Sequence, residues 1–122
     1  MASAPGPRLD LVHKAICAGI WGNIEWSDFA LRELANDPEM EGFTPAGIRQ
    51  LLRQFVLDGN ALDVRSEGFE LWRQQRPDHP YWYRAVIPVP QFARGLFLYV
   101  ILLDEDEEDE PFVQIVHTHR QR

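Results

Sequence analysis

The sequence lacks most of the features that stabilise secreted proteins or anchor proteins in membranes. Cys17 is the only cysteine among 122 residues, so the chain cannot form an internal disulfide. The longest apolar run, Gly95–Leu103, is far shorter than the roughly 20 residues that a membrane-spanning helix needs. The opening residues, MASAPGPR, lack the apolar stretch of a signal peptide. We therefore predict a cytoplasmic protein in which a loose, flexible tail over residues 1–8 precedes a single domain over residues 9–122.

Positive charge is also scarce. The chain has 19 acidic and 12 basic residues, which gives a net charge of −7, and every basic residue except Lys14 is an arginine. Seven of the acidic residues are consecutive at positions 104–110, so the rest of the chain is electrically neutral. This balance excludes a broad basic surface for nucleic acid, but not a local arginine site. Because unpaired carboxylates are costly to bury, we predict that residues 104–110 form a solvated hairpin loop.

The first half of the sequence has the apolar spacing of helices. The clearest helix follows Thr44, whose hydroxyl can cap it, has Pro45 at its first position and ends before Gly59. Ser27 and Pro38 bound a shorter helix in the same way. The predicted helices cover residues 9–20, 25–38 and 45–58.

From Ala61 onward the sequence has the character of strands. Ser66–Gly68 is a plausible hairpin turn, and the continuous apolar run over residues 96–103 predicts a central strand. We predict an α+β domain in which about three N-terminal helices pack on an antiparallel sheet of four to five strands. The hairpin over residues 104–110 then lies at one end of the sheet, and His119 lies at the other. The predicted strands cover residues 61–65, 69–74, 81–89, 96–103 and 111–119.

Several of these segments, taken in order, resemble the small bacterial toxins related to MqsR, within the wider RelE-like superfamily of ribonuclease toxins. The resemblance runs from Ile24 to His119. It rests on EWSDFALREL, on EGFTPAGIRQLLRQFVLDGNALDVR and on the closing strands YWYRAVIPV and LFLYVILLDEDEEDEPFVQIVHTH. It implies a helical front on an antiparallel sheet, cleavage of mRNA without a metal or other cofactor, and neutralisation by an antitoxin protein.

Individual positions within this resemblance bear on activity. Ala30 and Arg32 fit the opening motif of one branch of the family, but Phe29 stands where that branch carries histidine. The last strand of relatives ends in a basic or aromatic residue, and His119 fits that position. Relatives that cut RNA are usually basic, whereas this chain is acidic. These departures bear on the nuclease activity more than on the fold.

His117 and His119 form the strongest candidate pair of catalytic residues. Side chains two residues apart on a strand lie on the same face. Attack by the 2′-hydroxyl of RNA needs a base for that hydroxyl and an acid for the departing 5′ oxygen, and two histidines can supply both. Arg120 and Arg122 follow directly and are predicted to bind the RNA phosphate. The alternatives to catalysis are a metal-binding pair and a merely solvated C terminus.

Tyr83 and Arg84 complete the predicted catalytic set. A tyrosine ring can stack on a base, and an arginine can bind a phosphate. Arg65 and Arg73, on preceding predicted strands, are predicted to add contacts to RNA. The alternative is that these aromatic residues pack in the core or across strands.

The preferred prediction is therefore a toxin of a toxin–antitoxin pair that cleaves RNA without a metal or other cofactor. Its partners are RNA and an antitoxin or other protein, with no membrane. The first alternative is a non-catalytic interaction module with the same fold, which the acidic charge and Phe29 favour. The second is a winged-helix-like DNA-binding protein, because the third predicted helix carries base-reading side chains opposite its apolar stripe. Those side chains are Arg49, Gln50, Arg53 and Gln54.

Overall fold

The chain folds as three helices and five strands in a computed structural model that describes residues 7–65, 81–104 and 106–121. No helix in these ranges is long and apolar enough to cross a membrane. The predicted strand over residues 69–74 and the turn before it lie outside the described residues. In chain order the elements are α1 (Leu9–Ile16), β1 (Ile24–Trp26), α2 (Asp28–Asn36), a 3₁₀ turn (Pro38–Met40), α3 (Pro45–Leu57), β2 (Asp63–Arg65), β3 (Trp82–Val89), β4 (Phe92–Leu102) and β5 (Val113–Arg120).

The sheet is mixed, with strand order β1-β5-β4-β3-β2. Strands β2 to β5 are antiparallel to their neighbours, as predicted, but β1 pairs with β5 in parallel, with Ile24 opposite Val113. The prediction of a purely antiparallel sheet is therefore wrong. Strand β1 has only three residues and runs directly into the Ser27 cap of α2, so the sequence placed Glu25 and Trp26 in the helix. A strand this short has too few residues to show a two-residue period.

Helix α3 begins and ends at the predicted signals. The Thr44 hydroxyl accepts a hydrogen bond from the backbone N–H of Gly47 at 3.0 Å, and Gly59 follows the helix with a φ of 96°. That φ lies in the left-handed region, which glycine adopts without strain. Ile48 and Leu52 are fully buried among the strand residues of the core, and Phe55 packs beside them. The predicted helix and its buried stripe are confirmed.

The two earlier helices differ in how well their ends were predicted. In α2 the Ser27 hydroxyl accepts from the backbone N–H of Ala30 at 3.0 Å, and the helix ends before Pro38, as predicted. Helix α1 ends at Ile16, four residues before the predicted end. The chain turns back sharply after the helix, so closely that a Cβ atom on Gly22 would lie 2.6 Å from the carbonyl oxygen of Ile16, which only glycine avoids. Apolar spacing alone did not reveal this turn.

The two faces of the sheet have separate apolar clusters. The helices cover one face, where Leu96, Leu98 and Val100 of β4 belong to the same buried cluster as Ile48 and Leu52 of α3. We call this the helix face. The other face has a second apolar cluster, and all of its buried residues belong to strands: Trp82, Phe97, Tyr99, Ile101 and Val116. We call it the histidine face, because it also carries His117 and His119.

The acidic run joins β4 to β5 and lies against α1. Its carboxylates at positions 104 and 106–110 are exposed, as predicted. The loop also has contacts that the sequence did not reveal: Glu108 accepts from Lys14 Nζ at its carbonyl oxygen and lies 3.0 Å from the Arg8 guanidinium through its carboxylate. Exposed ion pairs of this kind contribute little to stability. The loop is at the opposite end of β5 from His119, so the predicted separation of charges is confirmed.

His13 makes the stability of the fold depend on pH. Its Nε2 accepts a hydrogen bond from the backbone N–H of Leu62 at 3.2 Å, and burial lowers the pKa of His13 below its ordinary value of 6.5. The unfolded chain therefore binds more protons than the folded chain just below that pH, so acid favours unfolding. We expect His13 to leave the free energy of unfolding unchanged well above pH 6.5 and to lower it as the pH falls below 6.5.

The His13→Gln variant isolates this contribution. Glutamine can still accept a hydrogen bond from Leu62 but does not titrate. The free energy of unfolding of the variant, measured in urea, should therefore fall less than that of the parent as the pH is lowered. Asn60→Gln changes a nearby side chain without a titratable group and should keep the parent slope. Equal slopes for parent and His13→Gln would rule out His13 as the cause.

Candidate active site

A bulge in β5 decides which face the histidines occupy. Between β4 and β5 the register runs from Val100 opposite Ile115 to Tyr99 opposite His117, so Val116 is an extra residue on β5. A strand with regular alternation would place His117 on the same face as Ile115, under the helices. The extra residue reverses the alternation, as bulges do near functional sites, and His117 and His119 lie on the histidine face.

The two histidines lie close together in an aromatic cluster. Their ring centroids are 4.6 Å apart with an angle of 75° between the ring planes. His119 stacks on Phe97 with a centroid distance of 4.5 Å and nearly parallel planes, and His117 lies beside Tyr99 at 6.4 Å. Phe97 and Tyr99 are nearly buried, so they form a firm support beneath the two imidazole rings. The predicted histidine pair is therefore brought together.

Glu33 of α2 contacts both His117 and the backbone of β5. Its Oε2 lies 2.8 Å from Nδ1 of His117, and its Oε1 accepts from the backbone N–H of Thr118 at 2.8 Å. Strand β1 pairs only with residues 113–115 of β5, so α2 lies where a longer β1 would continue. The side chains of His117 and Glu33 are only 14% and 21% exposed, respectively. This contact is therefore shielded from water more than most ion pairs at a protein surface.

His119 has a different hydrogen-bond partner from His117. Its Nδ1 lies 2.6 Å from the carbonyl oxygen of Arg120. Because a carbonyl oxygen only accepts, this contact places the hydrogen on Nδ1 and leaves Nε2 as the nitrogen that exchanges a proton in the neutral ring. One histidine is thus next to a carboxylate and the other next to a neutral carbonyl.

Arg84 is on the histidine face but is separated from the histidines. Cross-strand register aligns Asp63, Arg84, Tyr99 and His117 in one row across four strands. Arg84 is therefore two strand spacings, or about 10 Å, from His117, with Tyr99 between them. Its guanidinium lies 2.8 Å from the Asp63 carboxylate. A phosphate that binds between Arg84 and the histidines would lie over the Tyr99 ring.

Two predicted site residues lie on the other face. Tyr83 is almost fully buried on the helix face, and its hydroxyl accepts from the backbone N–H of Arg8 at 3.0 Å. Arg120 is opposite Leu96, so its side chain also lies towards the helix face, where its Nε is 2.7 Å from a carboxylate oxygen of Glu39. The structure does not bring either residue together with the histidine pair.

The remaining predicted RNA-binding residues are Arg65, which the structure describes, and two arginines that it does not describe. Arg65 is exposed on β2 and pairs with Trp82, so it is on the histidine face but three strand spacings away from β5. Arg73 and Arg122 lie outside the described residues. Among the arginines predicted for the site, Arg84 of the catalytic set is thus the one that the described structure places nearest to the histidines on their own face.

Some residues at the site were not expected from the sequence. Glu33 directly precedes the buried Leu34 of α2, which places it at the edge of the buried helix surface, but no motif marks it. Phe97 and Tyr99 belong to an apolar strand and gave no signal of a site. Phe29, which stands where the resembled toxins carry histidine, is 6.5 Å from the His117 ring. That position therefore borders the histidine pair in three dimensions.

Metal ligation was the other chemistry considered for His117 and His119. Within residues 7–65, 81–104 and 106–121, no group of three or more His, Cys, Asp or Glu side chains is arranged to hold a metal ion.

Comparisons with protein-family models, with curated proteins and with solved structures each find no match to this chain.

Proposed function

We propose that this protein is an endoribonuclease that cleaves RNA without a metal, as a toxin of the MqsR and RelE-like kind that an antitoxin protein neutralises. The observation that carries the proposal is the pair of imidazole rings 4.6 Å apart on the histidine face, one of them 2.8 Å from a carboxylate. The order of sequence segments that resembles these toxins supports the same assignment.

The proposed reaction is attack of the RNA 2′-hydroxyl on the adjacent phosphorus. His117 accepts the hydroxyl proton at Nε2 while the bond from the 2′ oxygen to phosphorus forms. His119 donates a proton to the 5′ oxygen as its bond to phosphorus breaks. The products are a 2′,3′-cyclic phosphate and a free 5′-hydroxyl, and a second proton transfer returns both histidines to their starting states. A reaction of this type requires no group beyond the two histidines and the RNA.

Charge around the site favours a short, local contact with RNA. Arg84 is the candidate for binding the phosphate, and it would exchange its contact with Asp63 for a contact with the phosphate, whose negative charge grows in the transition state. The acidic run lies at the other end of β5, where it repels the RNA backbone least from the histidines. Single-stranded RNA can approach such a site more easily than a duplex, because its bases can splay onto aromatic residues.

Incubation of the purified protein with single-stranded RNA in EDTA tests this proposal. We expect cleavage of the RNA and no cleavage of DNA with the same sequence, because DNA lacks the attacking 2′-hydroxyl. Intact RNA after prolonged incubation with a range of sequences, or cleavage that EDTA abolishes, would contradict the proposal. Arrest of bacterial growth on induction of the protein, relieved by His119→Ala, would support the toxin assignment.

A non-catalytic interaction module is the second candidate function. Ile20 and Trp21 are consecutive in the turn after α1 and are 78% and 64% exposed, the largest exposures among the large apolar side chains of the described residues. Exposed apolar side chains in an ordered turn are typical of protein interfaces. Absence of RNA cleavage together with tight binding of a protein partner that Trp21→Ala weakens would favour this candidate.

The DNA-binding alternative has less support from α3. Its Arg53 donates to the carbonyl oxygen of Gly19 at 2.6 Å, and Gln54 donates to Asp58 at 2.7 Å. Both side chains would have to leave these partners to contact bases. Duplex DNA binding that weakens steeply with salt would nevertheless favour that alternative.

A further inference from the structure

The geometry points to Glu33 as the positioning residue that makes His117, and not His119, the base of the reaction. This inference rests on the proposed function and assigns the separate roles of the two histidines. Glu33 is not one of the residues that the sequence singled out, and it acts through His117 without touching the RNA.

The Glu33 carboxylate is fixed by two contacts to adjacent residues of β5. One oxygen accepts from the backbone N–H of Thr118 at 2.8 Å, and the other lies 2.8 Å from Nδ1 of His117, an ion-pair contact without the angle of a hydrogen bond. A carboxylate with one oxygen held by the backbone cannot rotate away from the imidazole without breaking that hydrogen bond. The orientation of the His117 ring is therefore linked to the backbone of the same strand.

This arrangement determines which nitrogen of His117 is basic. A negative carboxylate this close to Nδ1 repels a lone pair there, so the hydrogen of neutral His117 belongs on Nδ1, and Nε2 has the lone pair. When Nε2 takes the proton of the 2′-hydroxyl, the imidazole becomes positive, and the adjacent carboxylate stabilises that charge. His119 has only the neutral carbonyl of Arg120 at the equivalent nitrogen, so it lacks this stabilisation.

The charge of each histidine during the reaction follows from its partner. A base gains positive charge in the transition state, whereas an acid loses it. A carboxylate at 2.8 Å assists the first process and opposes the second, because opposite charges attract most strongly where water is scarce. His117 is therefore the base, and His119 is the acid.

A purely structural role for Glu33 predicts different results. The carboxylate also satisfies a backbone N–H at the edge of β5, so its loss could simply loosen the strand. In that case a variant without the Glu33 carboxylate would lose thermal stability. The same substitution would also lower activity by a similar factor in the parent and in His117→Ala. A positioning role requires the effect on rate to depend on His117.

The test compares Glu33→Gln, His117→Ala and the double variant for cleavage rate and melting temperature. We expect Glu33→Gln to lower kcat by about 10²- to 10⁴-fold with little change in KM, and to have almost no further effect in the His117→Ala background. Glu33→Asp should recover part of the activity, and Glu41→Gln, an exposed carboxylate outside the site, should match the parent. Additive losses of rate in the double variant would overturn the positioning role.

The tautomer of His117 gives a test that does not need activity. Nitrogen chemical shifts of the folded, ¹⁵N-labelled protein should show neutral His117 with its hydrogen on Nδ1, and Glu33→Gln should move it towards Nε2. Hydrogen on Nε2 in the parent would overturn the inference even if RNA is cleaved. Absence of cleavage by the parent would overturn the proposed function, and the tautomer would still decide whether Glu33 orients His117.

Discussion

Replacement of His119 by alanine is expected to slow RNA cleavage by about two to four orders of magnitude, because the departing 5′ oxygen then has no positioned acid. The fold should remain intact, since His119 lies near the end of β5 and its loss removes contacts only to the Phe97 and His117 rings beside it. Initial rates on a defined single-stranded RNA would measure the effect.

The control for that result is another histidine of the same chain. His13 is on α1, away from the histidine face, so His13→Gln should cleave RNA at the parent rate under conditions where both proteins are folded. Undiminished cleavage by His119→Ala, with a melting temperature equal to that of the parent, would exclude His119 as the acid.

The largest expected effect on stability comes from Leu52. This side chain is fully buried between α3 and the sheet, so Leu52→Ala removes apolar contacts and leaves a cavity that the rigid sheet cannot easily fill. We expect the free energy of unfolding to fall by about 2–5 kcal/mol. Urea unfolding followed by circular dichroism would measure it.

Leu57 provides a matched control on the same helix. Its side chain is about half exposed, so Leu57→Ala makes the same chemical change without a buried cavity and should cost less than about 0.5–1 kcal/mol. Equal losses of stability in the two variants would contradict the placement of α3 with Leu52 inward.

Residues with a local physical role were predictable from the sequence. Thr44, Pro45 and Gly59 each act within a few residues of the helix that they bound, so their effect is visible in a short stretch of sequence. The same holds for Ser27, whose hydroxyl caps α2 three residues on. The central position of β4 was also predictable, because a strand covered by apolar residues on both faces is apolar throughout.

The parallel pairing of β1 was not predictable, because it depends on a partner far along the chain. Ile24 is opposite Val113, and nothing within the three residues of β1 specifies a partner so far along the sequence. The pairing also places α2 beside the second half of β5. Glu33 reaches the site through this long-range arrangement, which explains why no local motif revealed it.

Two features of strands determine on which face of the sheet each predicted site residue lies. Adjacent residues lie on opposite faces, so β3 cannot present both Tyr83 and Arg84 to one site, and β5 cannot present both His119 and Arg120. Alternation alone shows this much from the sequence. The bulge at Val116 does not follow from alternation, and without it the histidines would have been placed beneath the helices.

The chemical nature of the RNA ends tests the central claim most directly. After cleavage of a defined RNA in EDTA, mass spectrometry of the fragments should show 2′,3′-cyclic phosphate and 5′-hydroxyl ends, because the 2′-hydroxyl is the nucleophile and histidines move the protons. Fragments with 3′-hydroxyl and 5′-phosphate ends would show that water attacked instead, and would contradict the proposed roles of His117 and His119.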